Sequence, residues 1–175
     1  MCKINFKKTL PYIGSILFMI ILSYIYFSPD ILEGKVLFQG DTQQGIAIGQ
    51  EGKAFREATG ETTRWTNSLF SGMPNFQISP SYANNYWMGQ IGRIYHLGLQ
   101  SPASLVFIMM LGFFILLSAM KIRWYLALVG AIAYAFSSYF FIIIGAGHIW
   151  KFITLAYIPP TIAGIILAYR GKYIG

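Results

Sequence analysis

The hydrophobic pattern divides the chain into four uncharged apolar runs joined by one long and two short polar connections. Residues 9–28 read TLPYIGSILFMIILSYIYFS; the runs resume at 102–120, 124–145 and 152–169. An α-helix needs about 20 apolar residues to cross the hydrocarbon core of a bilayer. The expected fold is therefore all-α, a polytopic membrane protein with four transmembrane helices. Residues 1–175 form one membrane domain in this reading, and residues 29–101 are a long outer first loop. Pro29 is expected to help stop the first helix. Pro159-Pro160 should break and kink the fourth, because each proline removes a backbone donor, and neighbouring groups must satisfy the freed carbonyls.

The first run could also be a cleaved signal peptide, since Lys3, Lys7 and Lys8 precede it. It is long, however, and ends in bulky Tyr24-Ile25-Tyr26-Phe27 with no small-x-small cleavage site, so an uncleaved span is expected. Within the long connection, Ile46 to Ala58 predicts a short helix stopped by Gly60, although Gly49 and Gly52 weaken it. Tyr86 to Tyr95 places Trp87, Met88, Ile91, Ile94 and Tyr95 at helical spacing. That stripe suits a helix lying in the membrane interface, with a soluble amphipathic helix as the alternative.

Composition agrees with this pattern. The chain is 55% hydrophobic, 17% aromatic and only 11% charged, against about 25% charged in ordinary soluble domains. Its net charge of +7 suggests nucleic acid until the charges are located. All six acids (Asp30, Glu33, Asp41, Glu51, Glu57 and Glu61) fall between residues 30 and 61, and no basic patch interleaves with aromatics. With the N-terminus inside, Lys3, Lys7, Lys8, Lys121, Arg123, Arg170 and Lys172 are all cytoplasmic, and no acid joins them. The outer side then receives six basic and six acidic residues. The positive-inside rule thus places both termini in the cytoplasm, and segments 29–101 and 146–151 outside. No nucleic-acid partner is expected. The single cysteine, Cys2, excludes an intrachain disulfide and has no upstream apolar segment that would make it a lipoprotein anchor.

Asp41 is the leading candidate for chemistry. It follows Gly40 and precedes Thr42-Gln43-Gln44 at the outer mouth of the domain. A carboxylate there can act as a general base towards a hydroxyl. It can also ligate a hard divalent cation, though Mg²⁺ sites usually add a second carboxylate or substrate phosphates. The structural alternative is a helix N-cap with a capping box. His148 and Lys151 lie in the outer turn between the third and fourth spans, where cations can hold a lipid phosphate; the alternative is interfacial anchoring beside Trp150. Arg64 is a candidate phosphate or sugar contact, and Trp65, Asn67 and Tyr86 can stack on or hydrogen-bond a sugar ring. Anchoring aromatics are the competing explanation. No Gly-rich phosphate loop, paired-His metal motif or Cys ligand set is present in the sequence, and no cofactor is implied. Ser137-Ser138 lacks an acid–base partner beside it, and its hydroxyls are expected to bond back to helix carbonyls.

Several motifs together resemble a known family. They are Gly40-Asp41-Thr42-Gln43-Gln44, Phe55-Arg56, Thr59-Gly60-Glu61, Trp65-Thr66-Asn67-Ser68-Leu69-Phe70-Ser71-Gly72-Met73-Pro74, Gln77-Ile78-Ser79, Phe136-Ser137-Ser138-Tyr139-Phe140, Gly145-Ala146-Gly147-His148 and Ala156-Tyr157-Ile158-Pro159-Pro160. Their order resembles the amino-terminal part of YfhO-type bacterial membrane proteins, which are similar to GT-C glycosyltransferases. The resemblance implies a multi-pass protein of the bacterial inner (cytoplasmic) membrane that takes a sugar from a polyprenyl-phosphate carrier. It implies Asp41 as the base of an inverting transfer, with His148, Lys151 and Arg64 near the departing phosphate. Members of that family are several times longer, so the chain is expected to be a fragment completed by further membrane helices or a partner subunit. The loop motif offers one acid rather than an Asp-x-Asp pair, which argues against a metal requirement. A non-catalytic module binding a lipid-linked glycan or a partner is the alternative. A transporter ranks third, because no ionisable residue lies within the spans and no inverted repeat is visible.

Overall fold

The computed structural model describes residues 6–77 and 86–172. Cys2, Lys3 and the Ile78-Ser79 end of one motif lie outside the described residues. The chain is mostly helical. The helices are α1 (Phe6–Tyr26), α2 (Ser28–Leu32), α3 (Gly40–Thr59), α4 (Tyr86–Tyr95), α5 (Ala103–Ala119), α6 (Trp124–Ala135), α7 (Ser138–Ala146) and α8 (Ile149–Tyr169). Two short strands, β1 (Trp65–Thr66) and β2 (Met73–Pro74), pair antiparallel in the long connection, with Trp65 opposite Pro74.

Helix α5 is the centre of the bundle. It packs against α1, α6 and α8, and every residue from Ala103 to Met110 is buried. A helix that is apolar all round must be enclosed on all sides, and this one has no polar face to turn outwards. Helix α6 packs against it and buries Ala127, Ala131 and Ala135 completely, one turn apart. Phe113 of α5 stacks on Tyr134 of α6, with ring centroids 4.3 Å apart.

Side-chain contacts fix the helix directions. Tyr24 of α1 lies at the start of α5, its hydroxyl accepting from the Gln100 N–H at 3.5 Å. Tyr12 of α1 meets Phe114 near the other end, so α1 and α5 are antiparallel. The hydroxyl of Tyr95 reaches carbonyls of both Ile108 and Ala156, and the Arg170 guanidinium donates to the Ala119 carbonyl. Helices α5 and α8 therefore run parallel. One end of the bundle carries Lys7, Lys121, Arg123, Arg170 and Lys172; the other carries the α7–α8 turn and the start of α3.

Two helices, α1 and α8, are long and apolar enough to cross a membrane. The third expected span differs from expectation. It is two helices, α6 and α7, bent by 45° at Phe136-Ser137, and the pair adds a third crossing if counted as one span. Ser137 is extended at φ −66° and ψ 141°, which ends the helical hydrogen-bond ladder there. Neither the Ser137 nor the Ser138 hydroxyl bonds back to a helix carbonyl among the described residues; it is the Ser137 N–H that donates to the Tyr134 carbonyl, at 3.2 Å. Helix α5, with 17 residues, is apolar but shorter.

Pro29 is the second residue of the short helix α2, which begins after α1 has ended at Tyr26. Its fixed φ suits a first helical turn, where no intrahelical donor is required. Helix α8 continues as one element through Pro159 and Pro160. Pro160 cannot donate to the Ala156 carbonyl four residues back. The Tyr95 hydroxyl lies 3.4 Å from the Ala156 oxygen, and its single proton has a nearer acceptor in the Ile108 carbonyl at 3.1 Å. A side chain from α4 thus stands at the hydrogen-bond gap and shares its donor between α5 and α8. Burial and the neighbouring Tyr157 push the Tyr95 hydroxyl pKa well above the usual tyrosine value, which keeps it a neutral donor.

Candidate functional site

The expected helix over 46–58 begins six residues earlier. Helix α3 starts at Gly40 and spans 20 residues, about 30 Å. Its N-cap is Gln39, extended at φ −126° and ψ 112°, and no side chain caps it. Asp41 is therefore not the N-cap; it is the second helical residue. The Gln39 amide is committed elsewhere: it donates from Nε2 to the Ile144 carbonyl of α7 at 2.6 Å, and its Oε1 accepts from the Thr42 hydroxyl at 2.9 Å.

Those bonds seat the start of α3 on the α7–α8 turn. Gly147 makes this possible. It caps α7 at φ 95°, a left-handed conformation that favours glycine. A Cβ there would also lie 3.0 Å from the Thr42 nitrogen and hydroxyl. The next residue, His148, is the N-cap of α8, so Trp150 and Lys151 stand on the first turn of that helix and not in the turn itself.

This seating brings Asp41 and His148 together, with His148 Nδ1 2.7 Å from Asp41 Oδ2. The imidazole N–H donates and the carboxylate accepts, an arrangement that orients the ring. Both side chains are about half exposed, at 49% and 48%, so a ligand can reach either. Asp41 also sits in the first turn of α3, where the helix dipole favours a negative charge. The second carboxylate oxygen has no hydrogen-bond partner among the described residues. Lys151, one turn along α8, holds its ammonium 5.5 Å from the centre of the Tyr139 ring, within the range of a cation–π contact.

The other candidates are elsewhere. Glu51, ten residues along α3 from Asp41 and so about 15 Å away along the axis, gathers the Trp-to-Met-Pro segment. One carboxylate oxygen, Oε2, accepts from the Thr66 hydroxyl at 2.6 Å, the Asn67 N–H at 2.8 Å, the Ser68 hydroxyl at 2.9 Å and the Ser68 N–H at 3.0 Å. The Asn67 amide donates to Oε1 at 3.1 Å, and its own oxygen accepts from the Trp65 indole at 3.2 Å. Asn67 is thus already engaged in holding its own segment. The Trp65 ring lies over Gly72, where a Cβ would come within 2.8 Å of the indole nitrogen. Arg64 is exposed, and its backbone carbonyl accepts from Asn75. Tyr86 is exposed and packs edge-on against Trp87. The structure brings Asp41, His148 and Lys151 to one end of the bundle; Arg64, Trp65 and Asn67 form a separate group along α3.

Glu51, Gln39, Gly147 and Tyr95 were not singled out as site residues from the sequence. Gly147 carried a usable signal, a glycine directly after an apolar helical run. The other three act through contacts distant in sequence. Hydrogen bonds from Thr66, Ser68 and Asn67 lower the Glu51 pKa from 4.5 to about 2. Its folded-state pKa is depressed, so the tether is fully present above pH 4.5 and fades as the pH falls towards about 2. Hydrogen exchange should therefore find the Asn67 and Ser68 amides protected at neutral pH, and Glu51→Gln should speed their exchange at least tenfold. Unchanged protection in that variant would show that the segment is held by other contacts.

Among the described residues, no three His, Cys, Asp or Glu side chains gather as metal ligands would; Asp41 and His148 are a pair only. Comparisons with protein-family models, with curated proteins and with solved structures find no match to this chain.

Proposed function

We propose that the chain is part of a membrane glycosyltransferase that moves a sugar from a polyprenyl-phosphate carrier to an extracytoplasmic acceptor. The observation that carries this reading is the Asp41–His148 pair, half open to solvent at the bundle end opposite the cluster of basic residues. The resemblance to YfhO-type proteins supplies the reaction class. In this reading α1, α5, the bent α6–α7 pair and α8 make four crossings. Helix α5 meets the lower length limit of about 17 residues. The alternating helix directions and the positive-inside rule favour cytoplasmic termini in a bacterial inner membrane.

The chemistry then follows from the pair. His148 holds one oxygen of Asp41, and the other takes the proton of an acceptor hydroxyl. The acceptor oxygen attacks the anomeric carbon as the carbon–oxygen bond to phosphate breaks. The electron pair leaves with the polyprenyl phosphate, and Lys151, three residues along α8 from His148, is the cation assigned to offset its developing charge. Arg64, Trp65 and Asn67 belong to a neighbouring surface that would meet the acceptor or an adjoining sugar.

A second reading is a binding module for a lipid-linked glycan or a partner subunit. It is favoured by α4, which exposes Trp87, Ile91 and Ile94 by more than half, an apolar face suited to a bilayer surface or to further membrane helices. Proteoliposomes carrying the protein and a polyprenyl-phosphate sugar distinguish the two. Release of polyprenyl phosphate in the presence of acceptor glycan is the expected result. Binding without release would leave the second reading, and neither would overturn both.

A further inference from the structure

The basic end of the bundle holds a cavity of about 340 Å³, lined by Ser118, Ala119, Lys121, Leu167, Arg170 and Lys172. It lies between the C-terminal ends of α5 and α8, away from Asp41 and His148. Three of its six lining residues are cationic and none is acidic. Basic residues at helix C-termini offset the helix dipoles, and charge alone would explain their presence there. It would not by itself explain why Lys121, Arg170 and Lys172 line one common solvent-open space.

Two further observations suggest a ligand. The Ser118 hydroxyl oxygen is buried and has no hydrogen-bond partner among the described residues; such a group calls for an explanation in a folded protein. Arg170 donates one N–H to the Ala119 carbonyl. That bond anchors the guanidinium across the two helix ends and leaves its remaining donors available. Lys121 takes a left-handed backbone conformation, φ 64°, in the turn that closes α5. An anchored guanidinium and two flexible ammonium groups suit a phosphate group.

We propose that this cavity is a binding site for a phosphate group, the headgroup phosphate of an anionic phospholipid or a free phosphate ion. The site is independent of the glycosyl-transfer reading. Cationic pockets between membrane helices are suited to lipid headgroups at this depth.

The test uses the full chain in mixed micelles, with retained lipid read by native mass spectrometry. The wild-type protein is expected to retain phosphatidylglycerol in preference to phosphatidylcholine. Each cation near a lipid headgroup contributes about fivefold, so Lys121→Gln with Lys172→Gln should reduce that preference about 25-fold. Lys7→Gln with Arg123→Gln removes the same charge from the same end without touching the cavity, and should leave the preference within twofold. Loss of phosphatidylglycerol on adding millimolar inorganic phosphate, but not chloride, would support the phosphate site and identify free phosphate as its occupant. Resistance to phosphate would identify the lipid. An undiminished preference in the Lys121/Lys172 variant, or an equal loss in the Lys7/Arg123 variant, overturns the proposal.

Discussion

If Asp41 is the base of the proposed glycosyl transfer, Asp41→Asn is expected to lower that transfer by about 10²- to 10⁴-fold, the usual contribution of a general base. The substitution keeps the size of the side chain. Its amide oxygen can still accept the His148 N–H that now lies 2.7 Å from the carboxylate. The seating of α3 on the α7–α8 turn should survive as well, because Gln39, Thr42 and Gly147 make that contact independently. What is lost is the charge and the ability to take a proton. Binding of the polyprenyl-phosphate sugar should therefore stay within a few fold while the single-turnover rate collapses. A transfer rate that survives Asp41→Asn would remove the carboxylate from the chemistry. A parallel loss of binding and rate would make the pair a docking contact.

Gly112→Ala should destabilise the bundle by about 1–3 kcal/mol, the range for overpacking a filled core. A Cβ at this position would lie 2.7 Å from the Ala156 carbonyl oxygen, 2.7 Å from the Tyr95 hydroxyl and 3.1 Å from Pro160. The first is backbone and the last a rigid ring, so α5 and α8 must separate. Close approach through a small residue is how helices pack in a membrane, where apolar burial alone gives little drive to associate. Gly130→Ala is the control. Its Cβ would come equally near, 2.7 Å, but only to the end of the Leu117 side chain, which can rotate away. Thermal unfolding in detergent should show a clear loss for Gly112→Ala and a much smaller one for Gly130→Ala. Equal midpoints for the two would mean that α5 and α8 are not held as closely as the structure has them.

Apolar runs are legible because every residue in them contributes to one repeated signal. The runs over 9–28, 102–120 and 152–169 correspond closely to α1, α5 and α8. The helix over Tyr86–Tyr95 was equally readable from its aromatic stripe. The run over 124–145 conceals a bend, since Phe136-Ser137 is apolar enough to pass for continuous helix while its backbone is not helical. Helix α3 was only half visible: its glycines and lack of an apolar stripe weaken the pattern, and no residue in it is buried.

Asp41 and His148 could each be picked out as isolated polar groups on one side of a membrane, but their 2.7 Å contact could not. It depends on Gln39 reaching the Ile144 carbonyl, a long-range bond with no local trace. The same holds for Glu51, one acid among six until the backbone of 66–68 folds around its carboxylate.

The Tyr95 hydroxyl couples two parts of the molecule that would otherwise move separately. Raising α4 away from the bundle would withdraw that hydroxyl from the Ile108 carbonyl at 3.1 Å and from the Ala156 carbonyl, 3.4 Å away, which Pro160 cannot serve. An uncompensated carbonyl there costs on the order of 1–3 kcal/mol. The resting position of α4 is therefore a latched one. Lifting the long connection must either break that latch or carry the middle of α8 along with it.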